Sequence, residues 1–569
     1  MGKKVIGLLF VCFVAFSSTV SGQSYSVQVD AQQSLGKYKQ FWGGLGQESF
    51  DHGVLAPASV TYFEMLKEAN SHGREVFNYF SCKCMFSDRK AANHEQIGGY
   101  VYVEDQNGQV SYDWSIVDKH FDAILGYGLT PIVNFSFMPE KLASDPNKTN
   151  PWQNNPVSPP KDHNKWKNLV YETVNHLKAR YGASEIEKWY FEVWNEPDLD
   201  EFFWIPHPDQ VNYKDRGDNQ AYFKLYDYSA EGALAAHSGI KIGGPAIAGD
   251  IELFIMDWYP HCISGTNYAT GTTGSRVDFV SRHNYGTADW IRKRMETFAD
   301  LAINQGKGLL DNDPMIIITE NGPTPYLNQW LNTRYVAAWL AKEIDMIFQM
   351  GDEKGQNYMP DILCFWTLPL PQNYKSHFGL ATVLGNTWSP IADAVIKRPV
   401  FNSFEALSWL GEERVGISGT QYGSPVNAIA TKTGSRSVEV LLYHLNDEDY
   451  DNNLSGEYTV NLRVNNIPFK KGYIRLFKID ETHSNSYTVW KSMGRPEVPT
   501  SEQLSKLKAQ DDLQLFEPVQ QIAIQNGSYS KNITMQNNSV ALVLITADNP
   551  GVVDTTPPDP PTGLEVIDE

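Results

Sequence analysis

Between residues 41 and 369 short apolar runs alternate with longer amphipathic stretches, the rhythm of strand and helix units around a parallel sheet. The runs predict eight strands, at 41–46, 77–86, 130–137, 189–193, 240–245, 277–283, 315–320 and 362–368. Eight such units with helices between them fit an α/β architecture, the (β/α)8 TIM barrel, whose chemistry gathers at the carboxyl ends of its strands. After Trp409 the pattern changes to short strands such as 437–445, 456–464, 472–479 and 539–546, separated by polar turns. That is the signature of a C-terminal β-sandwich. The alternating segment 24–30 precedes the first barrel run and is free to pair with the sandwich instead of the barrel.

The flanks carry other signals. Lys3 and Lys4, an apolar run over 5–16 and small residues through Gly22 predict a cleaved secretory signal over 1–22. No cysteine follows to carry a lipid anchor, and no later run reaches the roughly 18 apolar residues of a membrane span; the expected location is secreted or periplasmic. The predicted organisation is therefore a signal at 1–22, an N-terminal strand within 23–40, a barrel at 41–409, a sandwich at 410–549, and at 550–569 a Pro-rich linker leading into the first strand of a further module. No internal repeat points to a solenoid or propeller.

Composition narrows the function. The 569 residues are 41% hydrophobic, 12% aromatic and 20% charged, with a formal net charge of -20. That charge disfavours nucleic acid, whose binding relies on clustered Lys and Arg, but a local basic site can still accept an anionic sugar. Of 5 cysteines, Cys12 falls in the signal. Cys82, Cys84, Cys262 and Cys364 show no disulfide-rich spacing and no Cys/His set for zinc, so they read as buried free thiols.

Two acids stand where barrel chemistry sits. The strand Trp189-Tyr-Phe-Glu-Val-Trp-Asn-Glu-Pro-Asp198 ends in Asn195-Glu196-Pro197, and Met315-Ile-Ile-Ile-Ile-Thr-Glu320 ends in Glu320 before Asn321-Gly322. Glu196 closes the fourth predicted strand and Glu320 the seventh, so three steps around an eight-membered ring set them on facing sides of one cleft. A structural hydrogen-bonding role is the alternative for either acid alone; the pair suits glycoside cleavage. In the retaining form the carboxyl groups stand about 5–5.5 Å apart, and the inverting form needs a wider gap. Two carboxylates and water suffice for such hydrolysis, and no nucleotide-binding loop or HExxH zinc motif appears. No cofactor or metal is expected.

The chain resembles glycoside hydrolase family 39, the β-xylosidases and α-L-iduronidases. The likeness runs from about residue 41 to 518 and rests on ordered matches: Gly98-Gly-Tyr100, Tyr112-Asp-Trp-Ser-Ile-Val-Asp118, Phe135-Ser-Phe-Met-Pro-Glu140, Val157-Ser-Pro-Pro160, Trp194-Asn-Glu-Pro197, Gly243-Gly-Pro245, Asp278-Phe-Val-Ser-Arg-His283, Ile318-Thr-Glu320, Phe365-Trp-Thr367 and Ile479-Asp-Glu-Thr-His-Ser-Asn485. The resemblance implies a retaining exo-glycosidase acting on oligosaccharide or polysaccharide fragments, with Glu196 as acid/base and Glu320 as nucleophile. It implies that Asn195 binds the sugar 2-hydroxyl and that His283 and Tyr285 line the sugar pocket. Taken by itself, His283 reads equally as a core histidine, and Trp366 as a sugar-stacking platform or core filler.

Two departures bear on the sugar. Where the family's second strand usually offers an Arg and a His, this chain has Ser81 and Lys83, and where its xylosidases often carry an Asp-Thr pair, it has Asn332-Thr333. The iduronidase branch has a Lys shortly after the sixth-strand His; here Tyr285 stands there, which favours a neutral sugar. Against that, Lys83 offers a cation for a uronate carboxylate, unless it points to solvent or pairs with a local acid. The leading expectation is a β-xylosidase, followed by an iduronidase-like hydrolase and then by a non-catalytic carbohydrate-binding protein.

Overall fold

The computed structural model describes residues 23–550, apart from 48–49, 51, 56, 72–73, 90–97, 152–153, 206–219, 250, 308–309, 311–312, 327, 367–379, 387–388 and 421–422. The expected signal, nearly all of the linker, and the end of the 362–368 run lie outside the described residues. Eight parallel strands close a barrel: β1 (Gly44–Gln47), β2 (Tyr79–Cys82), β3 (Thr130–Phe135), β4 (Tyr190–Val193), β5 (Lys241–Ile247), β6 (Phe279–Tyr285), β7 (Ile316–Gly322) and β8 (Ile362–Trp366). They follow one another around the ring in sequence order, and β8 closes it by pairing Cys364 with Gly44 and Trp366 with Gly46. All eight predicted runs fall on these strands.

The barrel interior is layered. At its lower end Tyr79, Ile132, Tyr190, Phe279, Ile317, Ile362 and Cys364 meet in an apolar cluster, the filled core expected of a barrel of this size. One residue pair further along the same inward rows come Ser81, Asn134, Glu192 and Thr319, with Lys83 one pair beyond Ser81, all buried. The interior therefore changes from apolar to polar just below the carboxyl ends of the strands. Outside, helices cover the barrel; Arg334–Lys354 is the most enclosed, buried on nearly every face from Arg334 to Phe348. A helix enclosed in this way needs packing partners on every side, and this one lies between the barrel and the second layer, against strands Val426–Thr433, Ser437–His444 and Ser539–Thr546. Thr333 caps its start by accepting from Tyr335 N, and Gly355, at φ 126°, ends it.

The second layer is a ten-stranded, mostly antiparallel sheet. Its hydrogen bonding is continuous through Ser24–Lys37, which runs antiparallel to Glu413–Ser418 and parallel to Glu457–Asn465. Register slips between Asp30 and Ser34 and between Ser34 and Gly36 bend this long strand as β-bulges do. The sheet wraps around one apolar core fed from both of its ends, with Val460, Leu462 and Ile533 meeting Val440, Leu442, Ile474 and Val543. The sandwich is thus one sheet folded over itself. Two helices that the strand pattern does not announce, Ser486–Ser492 and Ser501–Lys508, form a small side cluster through Tyr487, Trp490 and Leu507 with Ile396.

Candidate active site

β4 stops at Val193 because the backbone turns over: Trp194 has φ 70° and Glu196 φ 47°. The left-handed region costs a residue with a Cβ roughly 1–2 kcal/mol, so the turn needs external support. The Trp194 ring supplies some of it, fully buried with Nε1 donating to Phe202 O at 2.8 Å and ring contacts to Phe137, Trp166 and Phe203. Glu196 N donates to Ala246 O at 3.1 Å. The result lifts Glu196 over the mouth of the barrel.

Glu320 lies within β7, where the register slips after Ile318 against both neighbouring strands. A bulge breaks the alternation of a strand and re-aims its side chains. As a consequence the adjacent residues Thr319 and Glu320 both serve the interior: Thr319 Oγ1 donates to Glu192 Oε1 at 2.8 Å, and Glu320 Oε2 accepts from Tyr285 OH at 2.8 Å. Asn321 turns the other way and donates from Nδ2 to Glu343 Oε2 at 2.9 Å, which fastens the end of β7 to the helix Arg334–Lys354.

His283 joins the two acids. It is fully buried, with Nδ1 2.7 Å from Glu196 Oε1 and 3.3 Å from Glu320 Oε2. Burial, reinforced by the positive charges of Lys83, Arg282 and Arg294, holds its imidazole well below the usual histidine range. A neutral ring serves either state of Glu196: it accepts at Nδ1 from the carboxylic acid and, in the other tautomer, donates to the carboxylate. Glu196, His283 and Glu320 each offer a donor atom within 4.8 Å of the others, a set that could hold a cation, although the ammonium of Lys83 at 4.0 Å from Glu320 Oε1 opposes one electrostatically.

Lys83 does not point to solvent. It is 1% exposed, and its Nζ donates to Glu192 Oε2 at 2.9 Å. Burial alone would lower its affinity for the proton, but Glu192 and then Glu320 hold the ammonium above the ordinary lysine range. Glu192 is satisfied on both oxygens, since Asn134 Nδ2 also donates to Oε2 at 2.7 Å. Glu192, Asn134 and Thr319 are the site neighbours that sequence reasoning missed. The available signal was a charged residue in the middle of the buried strand Tyr190-Phe-Glu-Val193, facing another in the apolar run through Lys83.

Asn195 is buried beside Glu196 with its Oδ1 lacking a hydrogen-bond partner among the described residues, and the same holds for His283 Nε2 and Ser81 Oγ. Buried unpaired polar atoms cost about 1–3 kcal/mol each, so these three are groups that a bound hydroxyl or water would satisfy. Trp366 is 8% exposed and packs against β1, where a Cβ on Gly46 would come within 2.6 Å of its Cε3. Asn332 and Thr333 are engaged in the helix cap: Asn332 Nδ2 donates to Gln329 O, and Thr333 Oγ1 to Trp330 O and to Tyr450 O of the sheet. Cys82, Cys84, Cys262 and Cys364 are buried and outside any disulfide. Among the described residues no helix is long and apolar enough to cross a membrane.

The model of the glycosyl hydrolases family 39 matches residues 25–524. A β-xylosidase of Geobacillus stearothermophilus is 27% identical over 476 residues, 79% of this chain and 84% of its own. Human α-L-iduronidase is 26% identical over 380 residues, 61% of this chain and 55% of its own. Among solved structures, a monomeric β-xylosidase from Caulobacter crescentus CB15 superposes with a TM-score of 0.71 at 20% identity, covering 92% of this chain and 99% of that one.

Proposed function

This chain belongs to glycosyl hydrolases family 39 and is a glycoside hydrolase, and from that premise we propose that it is a secreted, retaining exo-β-xylosidase. The observation that supports the stereochemical part is the closeness of the acids: an oxygen of Glu196 and one of Glu320 lie within 4.8 Å, which fits the roughly 5–5.5 Å between the carboxyl groups of retaining enzymes better than the about 6.5–9.5 Å that an inverting water needs. Glu320, with a hydrogen bond from Tyr285 and the charge of Lys83 nearby, is suited to remain an anionic nucleophile. Its oxygen bonds to the anomeric carbon as the glycosidic C–O bond breaks, and Glu196 gives its proton to the departing oxygen. Water then attacks the same carbon, Glu196 takes the proton, and the bond to Glu320 is released.

Two features favour a neutral pentose over a uronate. Tyr285 donates to Glu320 and carries no charge for a carboxylate. The ammonium of Lys83 is already bonded to Glu192, and a uronate would have to compete with a charge-assisted bond in a buried site. The two bacterial relatives matched over more than three quarters of this chain are β-xylosidases. Export is supported by the Lys3-Lys4 start, the apolar run after it and the small residues before Gln23.

The test is release of 4-nitrophenol from β-xyloside, α-L-arabinoside and β-glucuronide, and of 4-methylumbelliferone from α-L-iduronide, each beside Glu320→Ala. Turnover of the xyloside with β-xylose as the first product seen by NMR is the expected result. Turnover confined to a uronide overturns the xylose assignment, first appearance of the α-anomer overturns retention, and excised oligosaccharides in place of xylose overturn exo action.

A further inference from the structure

The polar layer beneath the two acids has an unusual charge balance. Glu192, Glu196 and Glu320 bring three carboxyl groups into one buried region, and among the described residues Lys83 is the charged side chain that touches two of them, at 2.9 Å from Glu192 Oε2 and 4.0 Å from Glu320 Oε1. Among the described residues Glu320 also faces Glu196, the neutral imidazole of His283, the Tyr285 hydroxyl and, on the neighbouring strand β8, Cys364, whose thiol burial holds well above its ordinary range. Glu343 stands behind Asn321, on the outer side of β7. Glu192 is locked in place by Asn134 and Thr319 as well as Lys83, so Lys83 has little freedom to swing away from Glu320.

We propose that Lys83, held by Glu192, is the internal counter-ion of Glu320: a positioning residue that keeps the nucleophile charged and fixed, and not a ligand for the substrate. The inference rests on Glu320 being the nucleophile, as proposed above. Coulomb attraction between two groups is mutual, so an ammonium stabilised by Glu320 stabilises the Glu320 carboxylate equally. Glu192 works in the opposite sense. Its charge would repel Glu320 if Lys83 did not lie between, which makes the pair functional only as a unit. Because Thr319, which bonds Glu192, is the residue immediately before Glu320, the same unit also fixes the backbone on which the nucleophile is carried.

The experiment is trapping of the enzyme by a 2-deoxy-2-fluoro-β-xyloside with an activated leaving group, with the labelled residue found by peptide mass mapping and the trapping rate measured across pH. Failure to label Glu320 in the wild-type enzyme rejects the nucleophile assignment itself, a failure distinguishable from that of the counter-ion role because it is read without any variant. With Glu320 labelled, Lys83→Met is expected to move the acid limb of the rate upward by about 1–2 pH units, the size of shift one close opposite charge produces. Lys83→Arg keeps the limb near its original place, and Lys83→Met with Glu192→Gln brings it most of the way back, which loss of a merely structural contact would not do. Should Lys83→Met fail to fold, Glu192→Gln alone decides, since removing that negative charge must move the limb downward. An unmoved acid limb in Lys83→Met, or in Glu192→Gln, overturns the proposal.

Discussion

Glu343 is a carboxyl whose ionisation the fold opposes, and the consequence is a defined loss of stability with rising pH. It is fully buried on the helix Arg334–Lys354, and burial, offset in part by the amide of Asn321, pushes it up to about 8 from an ordinary value of 4.5. The folded chain therefore holds this proton more tightly than the unfolded chain. Its contribution to stability is complete below about pH 4.5 and is lost as pH rises through about 8. At 1.36 kcal/mol per unit the loss amounts to less than about 1 kcal/mol at pH 5 and roughly 3 kcal/mol at pH 7. Glu343→Gln is neutral throughout and keeps an oxygen for Asn321 Nδ2, so it reproduces the protonated acid at every pH. Denaturant unfolding of both proteins at pH 5, 6 and 7 should show the variant gaining on the wild type by about 2–3 kcal/mol across that range, read from midpoints at constant slope. A difference that stays flat with pH would refute the reasoning, because it would mean that Glu343 is ionised, or neutral, in both states alike.

Three further outcomes rest on single contacts. Tyr285→Phe removes the 2.8 Å bond to Glu320 and, at about 1.5–3 kcal/mol for a bond to a charged group, should lower kcat/KM on the aryl xyloside by roughly 10- to 100-fold; an unchanged value would mean the hydroxyl is idle in catalysis. Glu196→Gln should slow hydrolysis of xylobiose by about 10²–10⁴-fold while sparing formation of the glycosyl-enzyme from an activated aryl xyloside, and equal losses on both would remove the acid role. Gly46→Ala drives a Cβ to 2.6 Å from Trp366 Cε3, an overpacking worth about 1–3 kcal/mol, so a fall in Tm together with a raised KM is expected, and a Tm equal to wild type would show that Trp366 can move aside freely.

The barrel was legible because each strand is a compact apolar run and each return is amphipathic, a pattern that survives any local irregularity. The acids were legible because they end such runs. What could not be read is where alternation fails. A strand with strict period two would send Glu320 and Thr319 to opposite faces; the slip after Ile318 lets both serve the site, and nothing in Ile-Thr-Glu-Asn announces it. The fate of Lys83 was hidden for a different reason. Solvent, a substrate carboxylate and a local acid were all compatible with the sequence, and the choice depended on a partner more than 100 residues away, two strands around the ring. Glu192 escaped notice because an acid inside a buried strand looks like noise until its counter-charge is found. The helices Ser486–Ser492 and Ser501–Lys508 were lost among polar turns, since a helix of seven or eight residues shows barely two turns of period.

The sheet bears on the same site through β7. The segment after β7 leads into Thr333, whose hydroxyl donates to Tyr450 O, and into Arg334, whose Nε donates to Asn537 O; both acceptors belong to the sheet layer. Two turns further on, Lys342 lies 2.7 Å from Asp289, at the start of the helix after β6, and 2.7 Å from Asp447 of the sheet. The helix so anchored carries Glu343, which holds Asn321, the residue next to Glu320. A continuous set of hydrogen bonds and ion pairs thus runs from the sheet to the backbone of the proposed nucleophile. Groups that must stay within a few tenths of an ångström of productive geometry need such support. The sheet in this sense supports the proposed catalytic acids, although none of its described side chains stands among them.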